Sequence, residues 1–228
     1  MARYSEQGGL VATHQGHCSL DTFSKQQVPM HGGYRSLFGN KVHETAIVDW
    51  NNVEIGTGNV IGPYACLGGD AQHKNACSAG KVIIGNNNTI REFATIHRST
   101  NPNKGTVVGD DNYLMVGAHV AHDCSLEDGI VLCNNASIAG HVHVMQGAVL
   151  SLNCSIHQYQ TIGAWSIIGM NSCVKKSEVV EPGYKFFGVP AKRICRNSVA
   201  LKRNKVTQEQ LSAELARFSI LRDRKHSS

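Results

Sequence analysis

The chain has 228 residues, 41% hydrophobic, 6% aromatic and 17% charged, with a formal net charge of +5; that length serves one core or one repeat array and leaves little room for two globular domains. No apolar run approaches the roughly 18 residues needed to cross a bilayer, and the opening residues lack the basic-then-apolar order of a secretory leader, so a protein that is not membrane-embedded is expected. The basic excess gathers in Lys192, Arg193, Arg196, Lys202, Arg203 and Lys205, which suits a local anionic ligand and not a nucleic-acid surface.

Residues 1–41 are rich in Gly, Ser, Gln and His and carry no period, so they read as an irregular N-terminal arm. Residues 42–182 obey a period of six. Stepping by six from Val108 gives Leu114, Val120, Leu126, Leu132, Ile138, Val144, Leu150, Ile156, Ile162, Ile168, Val174 and Val180, every one Ile, Leu or Val. The phase runs back to Ile96, Ile90 and Ile84, whereas Ile55, Ile61 and Leu67 keep the spacing in a shifted phase, so a loop between Leu67 and Ile84 absorbs the slip. Six residues match neither a 3.6-residue helix nor an alternating meander, but they do match one short strand and a corner of a parallel β-helix. Three such sides predict an all-β triangular coil of about 18 residues, with the aliphatic residue inside and a small residue, as in Ile162-Gly163, easing the corner. The period does not fix the handedness.

The repeat stops at Glu181-Pro182-Gly183, and residues 183–228 read as a tail. Thr207-Gln208-Glu209-Gln210 opens a helix through Arg222, with Gln210 completing a capping box with Thr207. Leu211, Leu215, Phe218 and Leu221 recur at helical spacing, so one face of it must dock. The eight cysteines form no CxxC pair and no cluster, the pattern of scattered thiols in a reducing compartment, and a cytoplasmic location is expected.

Histidine has little reason to stand on a wall of small and aliphatic residues, yet His119, His122, His141, His143 and His157 fall within about two coils. One coil places Gly140 above His122 and His141 above Asp123, on strands about 4.8 Å apart. His122 then has the ingredients of a general base, with Asp123 to hold its tautomer. Gly140 would let a substrate approach its N–H, a candidate oxyanion donor. His119-x-x-His122 lacks the HExxH arrangement, and no cysteine pair stands at ligand spacing, so no metal is expected.

The segments Gly117-Ala118-His119-Val120-Ala121-His122-Asp123-Cys124, Asn134-Asn135-Ala136-Ser137-Ile138-Ala139-Gly140-His141-Val142 and Ile156-His157-Gln158-Tyr159 resemble the hexapeptide-repeat acyltransferases that open lipid A biosynthesis, transferring from acyl carrier protein to UDP-N-acetylglucosamine. The likeness runs from about Val42 to Lys205. It implies a left-handed β-helix and a homotrimer with active sites between subunits. In that resemblance His122 is the base acting on the sugar 3-hydroxyl, Asp123 orients the site, Gly140 supplies the oxyanion N–H, and His119 and His141 contact the sugar or its phosphates. His157 and Gln158 line the nucleotide-sugar pocket, Gln72 and Lys74 contact sugar and phosphate, and Asn197 and Arg203 fall where the nucleotide is bound. Met170, after Ile168-Gly169, occupies the acyl-chain ruler position and predicts short or medium chains, unless it only fills a gap against a neighbouring coil. No bound cofactor is implied, only an acyl thioester donor.

Three positions depart from the family pattern, His73 standing for an Asp, Val199 for a Glu and Asn204 for an Arg. The tail is shorter than the family's. Gly188-Val189-Pro190-Ala191-Lys192 resembles a segment of coenzyme-A-dependent hexapeptide enzymes, so N-acylation of a nucleotide-linked amino sugar from an acyl or acetyl coenzyme A is the alternative.

Overall fold

The computed structural model describes residues 32–74 and 80–226, with two short strands, Arg3–Tyr4 and Leu10–Val11, that pair antiparallel. The rest of the N-terminal arm lies outside the described residues.

From the first coil onward the chain winds round a three-sided prism whose faces are parallel sheets of ten, seven and six strands. Most strands are only two residues long, one side chain out and one in. Successive coils stack in register: Leu114 pairs with Leu132, Val120 with Ile138 and Leu126 with Val144. All thirteen aliphatic residues of the period are buried in one continuous core. A strand this short closes few hydrogen bonds alone, so stacking on its neighbours is what stabilises it.

Three corners join the faces, and each is named here by what it carries. The asparagine corner, between the first and second faces, turns on Tyr64, Phe93 and Gly117 in the early coils and on Asn135, Asn153 and Asn171 in the later ones. The histidine corner, between the second and third, turns on Asp123, His141 and Tyr159. The helix corner, between the third and first, turns on Gly129, Gly147 and Trp165. Inside the helix corner of the earlier coils, Asn40, Asn59, Asn88 and Asn112 are buried and each side-chain oxygen accepts from the next coil's backbone N–H, which satisfies polar groups the turn would otherwise strand.

Both ends of the solenoid differ from the expected boundaries. The ten-stranded sheet begins before residue 42, because Tyr34–Leu37 and Asn40–His43 form an antiparallel hairpin on its edge. It also continues past residue 182, because Tyr184–Phe187 pairs parallel with Ile167–Ile168 and Lys192–Arg196 folds back antiparallel. The backbone of the terminal coil would otherwise be an open edge.

Helix α1 (Ser198–Arg203) and helix α2 (Gln208–His226) follow. The capping box forms: the Thr207 N–H donates to Gln210 Oε1 at 2.8 Å and the Gln210 N–H to Thr207 Oγ1 at 3.2 Å. Leu211 and Phe218 are buried with Leu201 against Met145, Ala164 and Trp165, with Leu215 and Leu221 beside them, so the apolar face docks on this chain's own helix corner. Among the described residues no helix is long and apolar enough to cross a membrane.

Candidate active site

Two insertions into the coil build the histidine corner. Residues near the base of the prism are 29 apart where neighbouring coils meet at Asn59 and Asn88, and 24 apart at Thr95 and His119, against 18 at Asn112 and Ile130. The first excess is the loop after Cys66–Gly69, and the second is the turn after Thr95–His97 that carries Ser99 and Thr100.

That second turn wraps the Asp123 carboxylate. Ser99 Oγ donates to Asp123 Oδ1, and Thr100 Oγ1 donates to Oδ2 at 2.8 Å. The Asp123 N–H is itself held by Thr106 Oγ1 at 2.8 Å. Burial alone would raise the carboxyl, but the hydrogen bonds from Ser99, His122 and Thr100 outweigh it and bring its pKa down to about 2. Asp123 is therefore an anion that only accepts.

This decides the tautomer of His122, whose Nδ1 lies 2.8 Å from Asp123 Oδ2. Nδ1 must carry the proton, and in the neutral ring the lone pair is left on Nε2, which has no partner among the described residues. The ring is 7% exposed. It lies against the backbone of Gly140, where a Cβ would come within 2.6 Å of His122 Cε1, so glycine here makes room for the base as well as for a substrate. Among the described residues nothing accepts from the Gly140 N–H. His141 meets His122 edge-on, with centroids 5.2 Å apart, places Nε2 3.7 Å from Asp123 Oδ2, and stacks flat on Tyr159 at 4.5 Å.

His119 stands beside this corner on the second face, Nδ1 2.8 Å from Thr95 Oγ1 and its ring 5.3 Å from His97. Burial, then the charge of His97, lowers its pKa. His157 and Gln158 are exposed one coil above Ala139 and Gly140, with His157 Nδ1 3.0 Å from Gln158 O. Gln72 and Lys74 are exposed on the first loop, on either side of His73, whose ring lies edge-on to His122 at 5.6 Å.

Four residues lie elsewhere. His143 points from the third face to Glu127, Nε2 to Oε1 2.6 Å, in a network that also takes in Arg217. Burial would raise the Glu127 carboxyl, yet His143, Arg217 and the Gln146 N–H hold it below the usual carboxylate range. Asn197 is buried: its Nδ2 donates to Trp165 O at 2.9 Å and its Oδ1 caps α1, so the side chain fastens the tail to the helix corner. Arg203 is exposed in the last turn of α1. Met170 is 55% exposed at the asparagine corner and fills no gap within this chain.

Ser99 and Thr100 complete the corner without having been singled out from sequence, and His73 and Tyr159, noted there only as a departure and as part of a motif, join it. Tyr159 lies one coil above His141 and was within reach of that arithmetic; Ser99 and Thr100 lie in a six-residue insertion that leaves the period's phase intact and so gave no signal. The ligand atoms of His122, Asp123 and His141 lie within 4.8 Å of one another. In this structure Asp123 accepts from Ser99, Thr100 and His122.

Over 217 aligned residues the chain is 36% identical to the acyl-(acyl-carrier-protein):UDP-N-acetylglucosamine O-acyltransferase of Herminiimonas arsenicoxydans, covering 79% of this chain and 82% of that relative. The chain belongs to this acyltransferase family. The O-acyltransferase of Synechocystis is also 36% identical, over 169 residues, but there the chain spans 60% of the relative's length. Among solved structures the UDP-N-acetylglucosamine acyltransferase of Bacteroides fragilis superposes with a TM-score of 0.71 at 29% identity, over 80% of this chain and 71% of that one. The Arabidopsis enzyme gives 0.66 at 31%, over 78% and 69%. No family model matches. The O-acyltransferase fold is the left-handed parallel β-helix; the usual right-handed crossover depends on twisted strands feeding a helix, and two-residue strands with bare corners supply neither.

Proposed function

We propose that this chain transfers an acyl group from an acyl-carrier-protein thioester to the 3-hydroxyl of UDP-N-acetylglucosamine, as a cytoplasmic homotrimer without a bound cofactor. The observation that carries this reading is the Asp123-locked His122, with Nε2 open beside the unengaged Gly140 N–H. His122 Nε2 takes the hydroxyl proton as the sugar oxygen attacks the thioester carbonyl. The tetrahedral oxyanion meets the Gly140 N–H. On collapse the C–S bond breaks, and the thiolate leaves with the proton from the His122 imidazolium, which restores the base. Asp123 stays ionised throughout and stabilises the imidazolium.

His119 and His141 would contact the sugar or its phosphates, His157 and Gln158 would line the nucleotide-sugar pocket, and Gln72 and Lys74 would contact sugar and phosphate. Arg203 and Met170 sit at other corners of this chain, so a trimer in which corners of different chains face each other is what brings them to a site at His122. Met170 then shortens the acyl groove, each lost methylene contact being worth about 0.8 kcal/mol.

The deciding experiment supplies the purified chain with UDP-N-acetylglucosamine or with a nucleotide-linked amino sugar, and with either acyl-carrier-protein or coenzyme A thioesters of graded length. Transfer from acyl carrier protein to oxygen, with an optimum at short or medium chains that lengthens in Met170→Gly, is expected. Transfer only from coenzyme A, to the amine of a nucleotide-linked amino sugar, would replace this reading with N-acylation.

A further inference from the structure

The loop bearing His73 leaves the second face after Gly69 and is fastened at its start. Arg98 ion-pairs with Asp70 and places its other terminal nitrogen 3.9 Å from Asp49. The Arg98 N–H donates to Gly69 O at 3.0 Å. His97 Nδ1 lies 2.6 Å from Asp70 O, and the His73 N–H closes a tight turn on Ala71 O at 2.8 Å. These ties to the body of the prism come from the end of the strand Thr95–His97 and the residue after it, with Asp49 behind.

That turn sets His73 against the base. The ring of His122 has Asp123 on Nδ1, the Gly140 backbone beneath it, His141 edge-on at 5.2 Å and 87°, and His73 edge-on at 5.6 Å and 80°. The first three come from the regular coil; His73 is brought by the inserted loop. We infer that His73 is a positioning residue that walls in the His122 ring, and that the Arg98–Asp70 pair is the pin that keeps the wall in place. This rests on reading His122 as the base. A ring in contact with two other rings resists rotation about the ring-bearing bond, and a base displaced by about 1 Å forfeits much of its rate contribution.

The choice of imidazole at this position has an electrostatic side. Among the described residues the groups facing His122 are the Asp123 anion and the rings of His141 and His73, with Lys74 and Asp70 on the loop behind and Arg98 pairing Asp70 from just past the end of the strand Thr95–His97. A carboxylate in place of His73, which the family pattern carries, would add a second anion beside the base and raise the pH at which it takes up its proton.

The test uses the full chain and the variants His73→Ala, His73→Phe, His73→Asp and Arg98→Ala. His73→Ala is expected to lower kcat about 10-fold with KM for the nucleotide sugar within about twofold of wild type. His73→Phe keeps a ring and should keep most of kcat. Arg98→Ala should match His73→Ala, and the double variant should fall no further than either alone. His73→Asp should move the acidic limb of kcat/KM to higher pH. A second readout needs no substrate: the rate at which diethyl pyrocarbonate modifies His122, mapped by mass spectrometry, should rise in His73→Ala and Arg98→Ala and stay at the wild-type value in His73→Phe. Unchanged His122 modification in both alanine variants, or independent multiplicative losses in the double variant, overturns the inference. If modification rises as expected but the wild type transfers no acyl group to UDP-N-acetylglucosamine, the wall stands and the proposed reaction is what fails.

Discussion

At the asparagine corner the coil turns on Asn135, Asn153 and Asn171, with φ of 57°, 55° and 56°; at the histidine corner the same left-handed turn falls on Asp123, His141 and Tyr159, with φ of 60°, 62° and 64°. Asparagine is a short polar residue that visits this region readily, and here the amides also form a ladder, Asn135 Nδ2 to Asn153 Oδ1 at 3.2 Å and Asn153 Nδ2 to Asn171 Oδ1 at 3.3 Å. Histidine and tyrosine gain no such ladder, and a left-handed residue of that kind costs about 1 kcal/mol or more. Specific contacts offset the cost: His141 lies flat on Tyr159, interplanar angle 2°, and Asp123 gathers donors from Ser99, Thr100 and His122. The comparison teaches that one backbone turn, repeated with different residues, either stabilises the prism or presents chemistry, and that the second use needs support from outside the coil.

The strongest way to break this contrast is His122→Ala. Loss of a positioned base typically costs 10²- to 10⁴-fold in rate, while circular dichroism and light scattering should match wild type because the ring supports no core contact; retention of more than about a tenth of the rate would remove His122 from the mechanism. Gly140→Ala comes next, with an expected loss of about 10²- to 10³-fold. Its crystal structure would divide the cause: a ring pushed away from the new Cβ assigns the loss to the base, a ring in place assigns it to the oxyanion donor, and normal turnover sinks both roles.

Asp123 sharpens the comparison through pH. Its folded-state pKa of about 2 lies below the ordinary carboxyl value of 3.8, so the stability it contributes is complete above about pH 4 and is lost as pH falls toward 2. Denaturant titrations across that window should show the loss in wild type and a flatter profile in Asp123→Asn. The same variant should turn over slowly at neutral pH, because an amide no longer dictates which ring nitrogen of His122 holds the proton. An equal pH profile in the two proteins would contradict the carboxylate's role.

The smallest effects test the two corners against each other. Tyr159→Asn should lower turnover several-fold with the melting temperature held or raised, since asparagine fits the turn but gives His141 no ring to stack on. Asn153→Ala should do the reverse, losing about 1 kcal/mol of stability with kcat unchanged. Thermal melts and steady-state rates on both variants check the pair; parallel behaviour would mean the corners do not divide the labour.

Much of this was legible because a solenoid turns sequence distance into spatial distance. The period of six located all thirteen core aliphatics, and a step of one coil brought Gly140 to His122 and His141 to Asp123 from spacing alone. The capping box of α2 was equally local: Thr207 and Gln210 are three residues apart and need nothing else. His143, one of the five histidines within two coils but given no role, pairs with Ser125 and Thr161 on the third face and faces Glu127 and Arg217. Family likeness marked Asn197, and the structure adds that its amide also ties Trp165 to α1.

By itself, then, the sequence determined the prism, its core and the coil address of His122, because each depends on a short repeating spacing between neighbours. Only the tertiary structure decided which insertions reach the histidine corner: Ser99 and Thr100 come to Asp123 from 24 and 23 residues away, and His73 is delivered by a loop anchored on Arg98. The docking of α2 on its own chain belongs to the same class, since an apolar helical face specifies that something must cover it but not what. A period reports local geometry; the path of a loop that leaves the coil depends on where its anchors stand in space, and no spacing along the chain records that.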